Sequence, residues 1–577
     1  MMRVLSAAMA ALALTLAPAN AQTPRQQTAT DTLLDYPDIH HPVIGERGMV
    51  VSQSDPASEV GAEILRRGGN AVDAAIAVAF ALAVTLPRAG NLGGDGFMLV
   101  RLASGETVAL DYRSVAPLNA RAEMFLDARN RESDASRYGH SAAAVPGSVA
   151  GMAHAHARWG SLPWPDLLAP AIRLAEEGVV LTHDEAFALQ WARRNLERSP
   201  AAMRAFFRED GSAYRAGETL RQPQLAATLR SIASGGADAF YRGDVARQIV
   251  ASMQANGGLI TMEDLAAYRP VERQPLIANY RGYEVLTMPP PSGGGVSIVQ
   301  SLNILEHFDL RAMGAGSADA LHVLSETMKL VYADRTRFIG DPDFVEVPIA
   351  GLTSEAYARQ RARLIRMNRS MAPQDLAPGD PWGIEGTETT HFSIADAQGN
   401  VVSNTTTLGD SFGAASMIDG VGFLLNNQMK NFALEHGRRD VETLSTNPLN
   451  TLEPGKRMLS TMAPTIVLRE GRPWIVTGTP GGATILNTIL QILVNVIDHD
   501  MNIAEATHAP RIHQQWRPGD LNIEPGFSPD TVRLLERRGH EIDREETMGS
   551  AQSIAIADGV YYGAADPRRP GAAAIAP

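Results

Sequence analysis

The sequence predicts a mixed α/β protein whose first two-thirds are rich in helices and whose final third is rich in strands. Stretches with helical spacing dominate up to residue 340, whereas short alternating runs of apolar and polar residues dominate after residue 389. The change falls at 388/389, where residues 371–388, rich in Pro, Gly and acids, meet the alternating run Thr389–Ala395. A length of 577 residues would suggest about three or four domains, but large layered α/β folds often remain single.

The composition excludes several classes of protein. Hydrophobic residues make up 45% and charged residues 20% of the chain, which is typical of a soluble globular protein. A net charge of −13 without a dense Lys/Arg cluster argues against a general nucleic-acid-binding protein. The absence of cysteine excludes disulfides, thiolate metal sites and cysteine nucleophiles. The 14 histidines follow no H-E-x-x-H or Cys/His pattern, so we predict no metal site.

The N-terminus has the three parts of a secretory signal. Arg3 precedes an apolar stretch, residues 4–17, and Ala19-Asn20-Ala21 gives an A-x-A cleavage site. A membrane anchor is the alternative, but it would need about 20 apolar residues. We therefore predict that residues 1–21 are removed and that the protein is exported, either periplasmic or secreted, with no membrane span in the mature chain.

Periodicity and turn residues define the elements before residue 389. Residues 22–45 are polar and predict a loose lead-in. Strands are predicted at Gly48–Ser52, Met98–Leu102 and Val108–Tyr112. Helices are predicted at Pro56–Arg67, from Asn70 through the apolar run Ala74–Leu86, and at Pro163–Glu177, Gln222–Gly235, Val296–Glu306 and Ala318–Gly340.

After residue 389 the pattern favours strands. Thr389–Ala395 and Val401–Leu408, joined by the turn Asp396–Asn400, predict a hairpin. A helix is predicted at Ala483–Ile497, and the final strands are expected to form a hairpin at a sheet edge. The further predicted strands are Gly422–Leu425, Thr465–Leu468, Trp474–Gly478, Ser553–Ala557 and Gly559–Gly563.

A hydroxyl residue lies where the exposed loop meets a strand, and this junction suggests that the chain cuts itself. Thr389 Oγ would attack the carbonyl of Glu388, and water would then open the resulting ester. The freed α-amino group has an unperturbed pKa of about 7.7–8.0, so it can accept the proton of its own hydroxyl near neutral pH. One residue would thus replace the serine and histidine of a triad.

Such a site also needs an oxyanion hole. Pro480-Gly481-Gly482 lies between a predicted strand and a predicted helix, and offers two backbone N–H groups without side chains at a helix N-terminus. A tight strand-to-helix turn explains this triplet equally well. His391 alone is more typical of a hydrogen-bonded structural histidine than of a catalytic one.

Two other motifs suggest different functions. Gly409-Asp410-Ser411-Phe412-Gly413 matches G-x-S-x-G, so a serine hydrolase using Ser411 is an alternative. That motif requires a helix directly after the serine, and residues 414–422 show no helical stripe. Residues 90–96 resemble a dinucleotide-binding loop only loosely, because the glycine spacing is wrong and no acidic residue follows a βαβ unit at the right distance.

Together with several further blocks, these residues resemble the γ-glutamyltranspeptidase family, also called glutathione hydrolases, within the N-terminal-nucleophile hydrolases. The likeness runs from about Gly48 to the C-terminus. Chance would not produce so many blocks in one order. The blocks are GNLGGDGF (90–97), LDYRSVAP (110–117), AVPGSVAG (144–151), TTHFS (389–393), LLNNQM (424–429), PGKRMLSTMAPTIV (454–467) and TGTPGG (477–482).

The resemblance implies an αββα sandwich, made as one precursor and cut between Glu388 and Thr389. The large subunit would be residues 22–388 and the small subunit residues 389–577, and the two would form one domain as a heterodimer. The family transfers a γ-glutamyl group from glutathione or another γ-glutamyl compound, through an acyl-enzyme, to water or to an amino-acid or peptide acceptor. It implies no cofactor.

The resemblance also implies roles for individual residues. Thr389 would be the nucleophile, Thr407 would support its amine, and Gly481 and Gly482 would form the oxyanion hole. A guanidinium suits bidentate binding of the donor's α-carboxylate better than an ammonium does. The residues expected to bind the donor are Arg113, Ser460 and Thr461 at the carboxylate, and Gln428 in the pocket wall.

Two positions depart from the family pattern. The residue two after LLNNQM is usually an aspartate that faces the substrate's α-ammonium, and here it is Asn431; the family's asparagine two after the supporting threonine is here Gly409. A charge-assisted hydrogen bond is worth roughly 1.5–3 kcal/mol against about 1 kcal/mol for a neutral one. Both changes weaken recognition of the α-ammonium while the carboxylate site is kept. Glutaryl amides, the substrates of related cephalosporin acylases, are therefore the alternative donors, unless Asp410 or Asp419 supplies the missing negative charge.

A third class of function is an exported binding protein that keeps the scaffold without catalysis. The retained Thr389, Arg113 and Gly481-Gly482 favour an enzyme. The segment 433–453 lies between pocket motifs and is a candidate lid, although it contains no aromatic residue that could act as a latch.

Overall fold

The computed structural model describes residues 38–376, 388–434, 447–517 and 519–577. Its contacts divide the chain into residues 1–39 and one compact unit, His40–Pro577. The predicted signal peptide, residues 1–21, lies outside the described residues, as do residues 377–387 of the predicted loop and residues 435–446 of the candidate lid.

Runs of strands and runs of helices follow one another along the described chain. The strands are β1 Val43–Gly45, β2 Gly48–Ser52, β3 Asp95–Arg101, β4 Thr107–Asp111, β5 Val179–Val180, β6 Thr219–Leu220, β7 Val271–Arg273, β8 Leu276–Tyr280, β9 Tyr283–Thr287, β10 Glu388–Asp396, β11 Val401–Gly409, β12 Thr465–Arg469, β13 Arg472–Thr477, β14 Ile512–His513, β15 Leu521–Ile523, β16 Ile542–Arg544, β17 Gln552–Ala557, β18 Val560–Ala565 and β19 Ala573–Ile575. The helices are α1 Asp55–Arg66, α2 Ala71–Thr85, α3 Ser148–Trp159, α4 Trp164–Glu177, α5 His183–Leu196, α6 Pro200–Phe206, α7 Pro223–Tyr241, α8 Asp244–Ala255, α9 Met262–Ala267, α10 Gly293–Leu305, α11 Leu310–Met313, α12 Ala318–Phe338, α13 Ile349–Leu352, α14 Glu355–Ala362, α15 Thr484–Ile497, α16 Ile503–His508 and α17 Pro529–Arg537.

Two seven-stranded sheets form the centre of the fold. One sheet has the order β1-β18-β17-β13-β12-β9-β8 and the other β19-β2-β10-β11-β3-β4-β7. Neighbouring strands within both sheets pair antiparallel, for example β10 with β11 and β12 with β13. Each sheet combines strands from before and after residue 388, so the two parts of the chain share both sheets.

Side-chain alternation along the strands creates four layers. Val50, Met98 and Ile394 belong to a core cluster with residues of helices α1, α2 and α4. Their neighbours Met49 and Phe97 point the other way and join a cluster that includes the second sheet and helices α10, α12 and α15. Since successive residues of a strand face opposite sides, the order is helices, sheet, sheet, helices. This arrangement confirms the αββα sandwich.

The predicted elements correspond closely to the observed ones, with two exceptions. The predicted strand Gly422–Leu425 is wrong: Leu424 forms only an isolated bridge with Met417, and Gly422 has a φ of +74°, which breaks an extended run. The C-terminal hairpin exists as β17 and β18 but is not at a sheet edge, because β1 pairs with β18. Part of the predicted lead-in, Val43–Gly45, is therefore a strand.

A polar layer lies between the two sheets along the middle of β10 and β11. Ser403 Oγ donates to the carbonyl of Thr477 at 3.0 Å, and Ser393 Oγ donates to the carbonyl of Gln552 at 2.8 Å. A Cβ on Gly478 would lie 2.4 Å from Cε1 of His391. The contact requires a glycine at position 478 and brings the end of β13 against β10.

In the part of the chain that the structure describes, no helix combines the length and the apolar character needed to cross a membrane.

We predict that Gly478→Ala destabilises the protein, because the new methyl group must displace the buried ring of His391. Overpacking of this kind costs about 1–3 kcal/mol, and thermal unfolding would show it as a lower Tm. Gly351→Ala is the matched control, since a Cβ there meets no atom within 4 Å. Equal Tm values for the two variants would contradict the inferred contact between β13 and β10.

Candidate active site

Thr389 lies at the beginning of β10, in the middle of a sheet, and its side chain is buried. Its Oγ1 donates to Oγ1 of Thr407 at 3.4 Å. The pairing of β10 with β11 shifts by one residue between Glu388 and Thr390, so Thr407 and Leu408 together lie opposite Thr389. Such bulges redirect side chains and are common beside active sites. The two hydroxyl groups predicted to work together are thus in contact.

The glycine-rich segment 90–94 packs against the backbone on which this pair rests. A Cβ on Gly94 would lie 2.3 Å from the carbonyl oxygen of Thr407, and one on Gly93 would lie 2.0 Å from that of Leu424. The segment leads from helix α2 into strand β3, which is the opposite order to a dinucleotide-binding loop. These glycines are required for close backbone packing around the threonine pair.

Arg113 is fully buried and holds a network on one side of the threonines. Its Nη1 pairs with Asp95 at 2.7 Å, and its Nη2 and Nε donate to the carbonyls of Leu459 at 2.9 Å and Met458 at 3.4 Å. Asp95 lies opposite Thr407 in the sheet. The guanidinium therefore lies between the threonine pair and the segment that continues into Ser460 and Thr461.

Ser460 and Thr461 are buried and supported by the loop before helix α10. Ser292 forms a bridge with Ser460, and the backbone N–H of Gly293 donates to the Ser460 carbonyl at 2.8 Å. A Cβ on Gly294 would lie 2.2 Å from the Thr461 carbonyl oxygen. The Pro- and Gly-rich sequence at 288–295 thus allows a close backbone contact behind these two hydroxyl residues.

Gln428 and Asn431 lie together in a short 3-10 turn. Asn431 Nδ2 donates to Gln428 Oε1 at 2.7 Å. Asn450 connects this turn to the Arg113 network: its Nδ2 donates to the Asn431 carbonyl at 2.6 Å, and its Oδ1 accepts the backbone N–H of Leu459 at 3.1 Å. No sequence signal distinguished Asn450 from other polar residues of the candidate lid.

Gly481 and Gly482 form the turn between β13 and α15, with φ values of +131° and +56°. Their carbonyls accept the N–H groups of Thr484 at 3.0 Å and Ile485 at 3.2 Å, within the first turn of the helix. The hydroxyl of Tyr332 contacts the carbonyl of Ala483. Because the two carbonyls point into the helix, the peptide units have the orientation expected at a helix N-terminus.

The space beside Gly409 is filled by another side chain. Gly409 has a φ of +100°, and a Cβ there would lie 2.1 Å from Asn427 Oδ1. This oxygen accepts the backbone N–H of Asp410 at 2.9 Å, and Asn427 Nδ2 donates to the Asp410 carboxylate at 2.9 Å. An asparagine at position 409 would need a different backbone and a displaced Asn427.

Asp410 and Asp419, the two carboxylates that could compensate for Asn431, are each paired with a cation. Lys430 Nζ contacts Asp410 Oδ1. Burial by itself would raise the pKa of Asp410, but the Lys430 ammonium and the hydrogen bonds from Lys430 and Asn427 outweigh it and lower that pKa. Asp419 lies on the surface, where its side chain is 65% exposed and pairs with Arg204 at 2.8 Å.

Ser411 lacks the surroundings of a nucleophile elbow. Residues 411–422 are all described and consist of turns and a single bridge, with no helix. The G-x-S-x-G geometry requires a helix directly after the serine. The serine-hydrolase alternative therefore has no support from the fold at this position.

His391 is completely buried between the sheets, where Nδ1 lies 2.9 Å from Thr405 Oγ1 and Nε2 lies 3.1 Å from Ser393 Oγ. Burial lowers the pKa of this imidazole to about 3. The ring is therefore neutral throughout the physiological range, which is the behaviour of a structural histidine.

Among the described residues, one group has ligand atoms close enough together to hold a metal ion: His322, Glu326 and His540. His322 Nδ1 and His540 Nε2 are hydrogen-bonded at 2.7 Å. Lys329 Nζ lies 2.8 Å from Glu326 Oε1 and already neutralises that carboxylate. A divalent ion would add charge beside a buried ammonium, so the group fits a hydrogen-bonded polar cluster better than a metal site.

The comparisons with known proteins agree with this architecture. A sequence model of the family described as Gamma-glutamyltranspeptidase matches residues 57–576. The chain belongs to the γ-glutamyltranspeptidase family. It is 48% identical to a glutathione hydrolase proenzyme of Escherichia coli (strain K12) over 533 residues, which is 92% of each chain.

Other relatives of this γ-glutamyltranspeptidase-family chain are acylases. An Acylase ACY 1 proenzyme of Pseudomonas sp. (strain SE83) is 41% identical over 545 residues, covering 92% of this chain and 94% of the relative. The crystal structure of a cephalosporin acylase from Bacillus halodurans has a TM-score of 0.84 and 32% identity, covering 94% of this chain and 98% of that one. These matches establish the family and the fold. The matched proteins include both glutathione hydrolases and acylases.

We predict that acid destabilises this protein partly through His391. The ordinary histidine pKa is about 6.5, whereas the folded value is about 3, so between these limits the unfolded chain binds a proton that the folded chain does not. Stability therefore falls as the pH decreases from about 6.5, by up to about 1.4 kcal/mol per pH unit for this group.

The measurement is Tm against pH for the wild type and for His391→Gln, whose uncharged amide can still hydrogen-bond with its neighbours. The variant should lose less stability between pH 6.5 and 4.5 than the wild type, whatever its absolute Tm. Parallel curves would show that the pKa of His391 is the same in the folded and the unfolded chain.

Proposed function

We propose that this protein is an exported, self-processing γ-glutamyltransferase and glutathione hydrolase. Residues 1–21 would be removed, and the precursor would cut itself between Glu388 and Thr389 into subunits 22–388 and 389–577. The observation that carries the proposal is the buried contact between Thr389 and Thr407, at a bulge in a γ-glutamyltranspeptidase-family scaffold. This contact gives the nucleophile a second hydroxyl within hydrogen-bond reach.

Self-cleavage would begin with attack of Thr389 Oγ on the Glu388 carbonyl, which forms an ester and frees the Thr389 nitrogen. Water then hydrolyses the ester and leaves Thr389 as an N-terminal residue. The proposed scissile bond is at the start of β10, where Glu388 is the first residue of the strand and pairs with Gly409. A cut there leaves the interior of the strand ladder intact.

Acyl transfer would use the same hydroxyl. The α-amino group of Thr389 accepts the hydroxyl proton while Oγ attacks the γ-carbonyl of the donor, and the proton then passes to the leaving amine. Thr407 holds the amine and hydroxyl in place. The N–H groups of Gly481 and Gly482 stabilise the oxyanion, as preorganised donors at a helix start do. Water or an amino-acid or peptide acceptor removes the acyl group, and no cofactor is required.

Arg113 would bind the donor's α-carboxylate. A guanidinium has five N–H donors, and the three described hydrogen bonds to Asp95, Met458 and Leu459 fix its plane while using only three of them. Ser460 directly follows Leu459, so the hydroxyl groups of Ser460 and Thr461 can meet the same carboxylate. Gln428, fixed by Asn431, forms part of the pocket wall.

A glutaryl-amide acylase is the second candidate function. Position 431 carries a neutral amide already bonded to Gln428, and Gly409 has no side chain to offer an α-ammonium. Both changes weaken recognition of the amine, while the carboxylate site is retained. The acylases among the relatives agree with this alternative.

We predict that Thr389→Ala abolishes both self-cleavage and turnover of a γ-glutamyl anilide, by at least about a thousandfold for turnover, because it removes the only nucleophilic atom of the mechanism. Denaturing gels and an anilide assay measure the two effects. Thr389→Ser, which keeps a hydroxyl, should cleave and turn over slowly. Ser411→Ala is the control and should behave as the wild type. A wild type that stays full length would refute self-processing.

We predict that Asn431→Asp increases the preference for γ-glutamyl over glutaryl anilide by about tenfold in kcat/KM, the difference between a charge-assisted and a neutral hydrogen bond. The two donors differ only in the α-amine, so the ratio isolates its recognition. A wild type that already prefers the γ-glutamyl donor strongly, with no change in the variant, would show that another group binds the ammonium.

A further inference from the structure

A buried ion pair lies beside both positions at which this chain departs from its family. The side chain of Lys430 is 4% exposed and that of Asp410 is 26% exposed. Asp410 directly follows Gly409, and Lys430 directly precedes Asn431. The sequence therefore carries a carboxylate in this region, together with an ammonium that neutralises it.

Hydrogen bonds place this pair against the groups of the proposed donor site. The backbone N–H of Gly409 donates to Thr407 Oγ1 at 2.9 Å, and Thr407 contacts Thr389. On the other side, Asn431 is bonded to Gln428. Asp410 is thus adjacent to a residue that bonds Thr407, and Lys430 is adjacent to a residue that bonds Gln428.

Asn427 holds the pair in a fixed geometry. Its Oδ1 accepts the Asp410 N–H and its Nδ2 donates to Asp410 Oδ2, both at 2.9 Å. The same amide fills the space that a side chain at position 409 would need, since a Cβ there would lie 2.1 Å from Oδ1. The glycine at 409 and the carboxylate at 410 therefore form one structural arrangement, built around Asn427.

We propose that Lys430 determines donor specificity by pairing with Asp410, so that this carboxylate does not act as the anion for the donor's α-ammonium. With Asp410 paired to Lys430 and Asn431 uncharged, neither Asp410 nor Asn431 offers an uncompensated negative charge to an α-ammonium. Donors with and without the amine are then accepted at comparable rates. The inference rests on the proposed acyl-transfer function and deepens it, because it names the ion pair that sets the preference between γ-glutamyl and glutaryl donors.

Removing Lys430 should expose the charge of Asp410 to the donor. Lys430→Gln leaves the carboxylate with its two Asn427 contacts and with Arg137 nearby, and makes the region more negative by one charge, which favours an ammonium over a CH2 group. A unit charge in a partly solvated site changes such a preference by roughly tenfold. Lys430→Gln/Asp410→Asn restores neutrality with uncharged groups of similar size, and should return the preference to within about twofold of the wild type.

The experiment measures kcat/KM for γ-glutamyl anilide and for glutaryl anilide at pH 8, with the self-cleaved wild type, the single variant and the double variant. Arg204→Gln is the matched control, because it leaves Asp419 without its cation on the exposed surface and should not change the ratio. A tenfold rise in the single variant that disappears in the double variant supports the proposal. An unchanged ratio, or an equal rise in the control, overturns it.

The wild type provides a test that depends on no variant. A γ-glutamyl to glutaryl ratio within about tenfold of unity agrees with an Asp410 that Lys430 compensates, whereas a preference above about a hundredfold contradicts the proposal even if Lys430→Gln fails to fold. A wild type that neither cleaves itself nor turns over either donor would overturn the proposed function itself, a different result from an active enzyme with the wrong ratio.

Discussion

The pairing of β10 with β11 is the interaction on which the rest of the structure depends. It joins the two strands at the centre of one sheet, between β2 and β3, and its bulge places the Thr389 and Thr407 hydroxyl groups in contact. Because the pair is central, both faces of its strands are covered: one by helix α2, the other by strands β13 and β17 of the second sheet. A side chain held in this way has little freedom to move, and positioning of this kind is what the proposed nucleophile Thr389 requires.

Glycines around this hairpin allow the close packing that fixes the positions of the threonine pair and its neighbours. Gly94 touches the Thr407 backbone, Gly478 touches the His391 ring, and Gly294 touches the Thr461 backbone. In each case a side chain would force apart two segments that carry site residues. The glycine-rich blocks of the sequence are thus explained by packing distances rather than by phosphate binding or by flexibility.

Charge in the site is arranged in neutralised pairs. Arg113 is balanced by Asp95 and Asp410 by Lys430, and both pairs are largely buried. Burial of an unpaired charge is costly. Within each ion pair, one residue offsets the charge of the other, so a substitution of one residue alters the electrostatic field that the other presents to a substrate. This coupling is the basis of our proposal that residue 430, which lies outside every motif in the sequence, affects which acyl groups the pocket accepts.

The sequence by itself determined the family, the sandwich fold and most element boundaries, because helical and strand periodicity are local and the motif blocks are contiguous. It located the Arg113, Thr389 and Gly481-Gly482 motifs, whose roles stay predictions. Val43–Gly45 was missed as a strand because a short edge strand forms only where a partner, here β18, is available. Gly422–Leu425 was wrongly assigned as a strand because the backbone conformation around a short apolar run decides whether it is extended. Only the tertiary structure revealed Asp95 as the partner of Arg113 and Lys430 as the cation on Asp410. It also revealed Asn450 as the link between the turn that carries Gln428 and the Arg113 network. These contacts join residues that are distant in the chain or hidden in polar segments, and a one-dimensional pattern contains no distance between them.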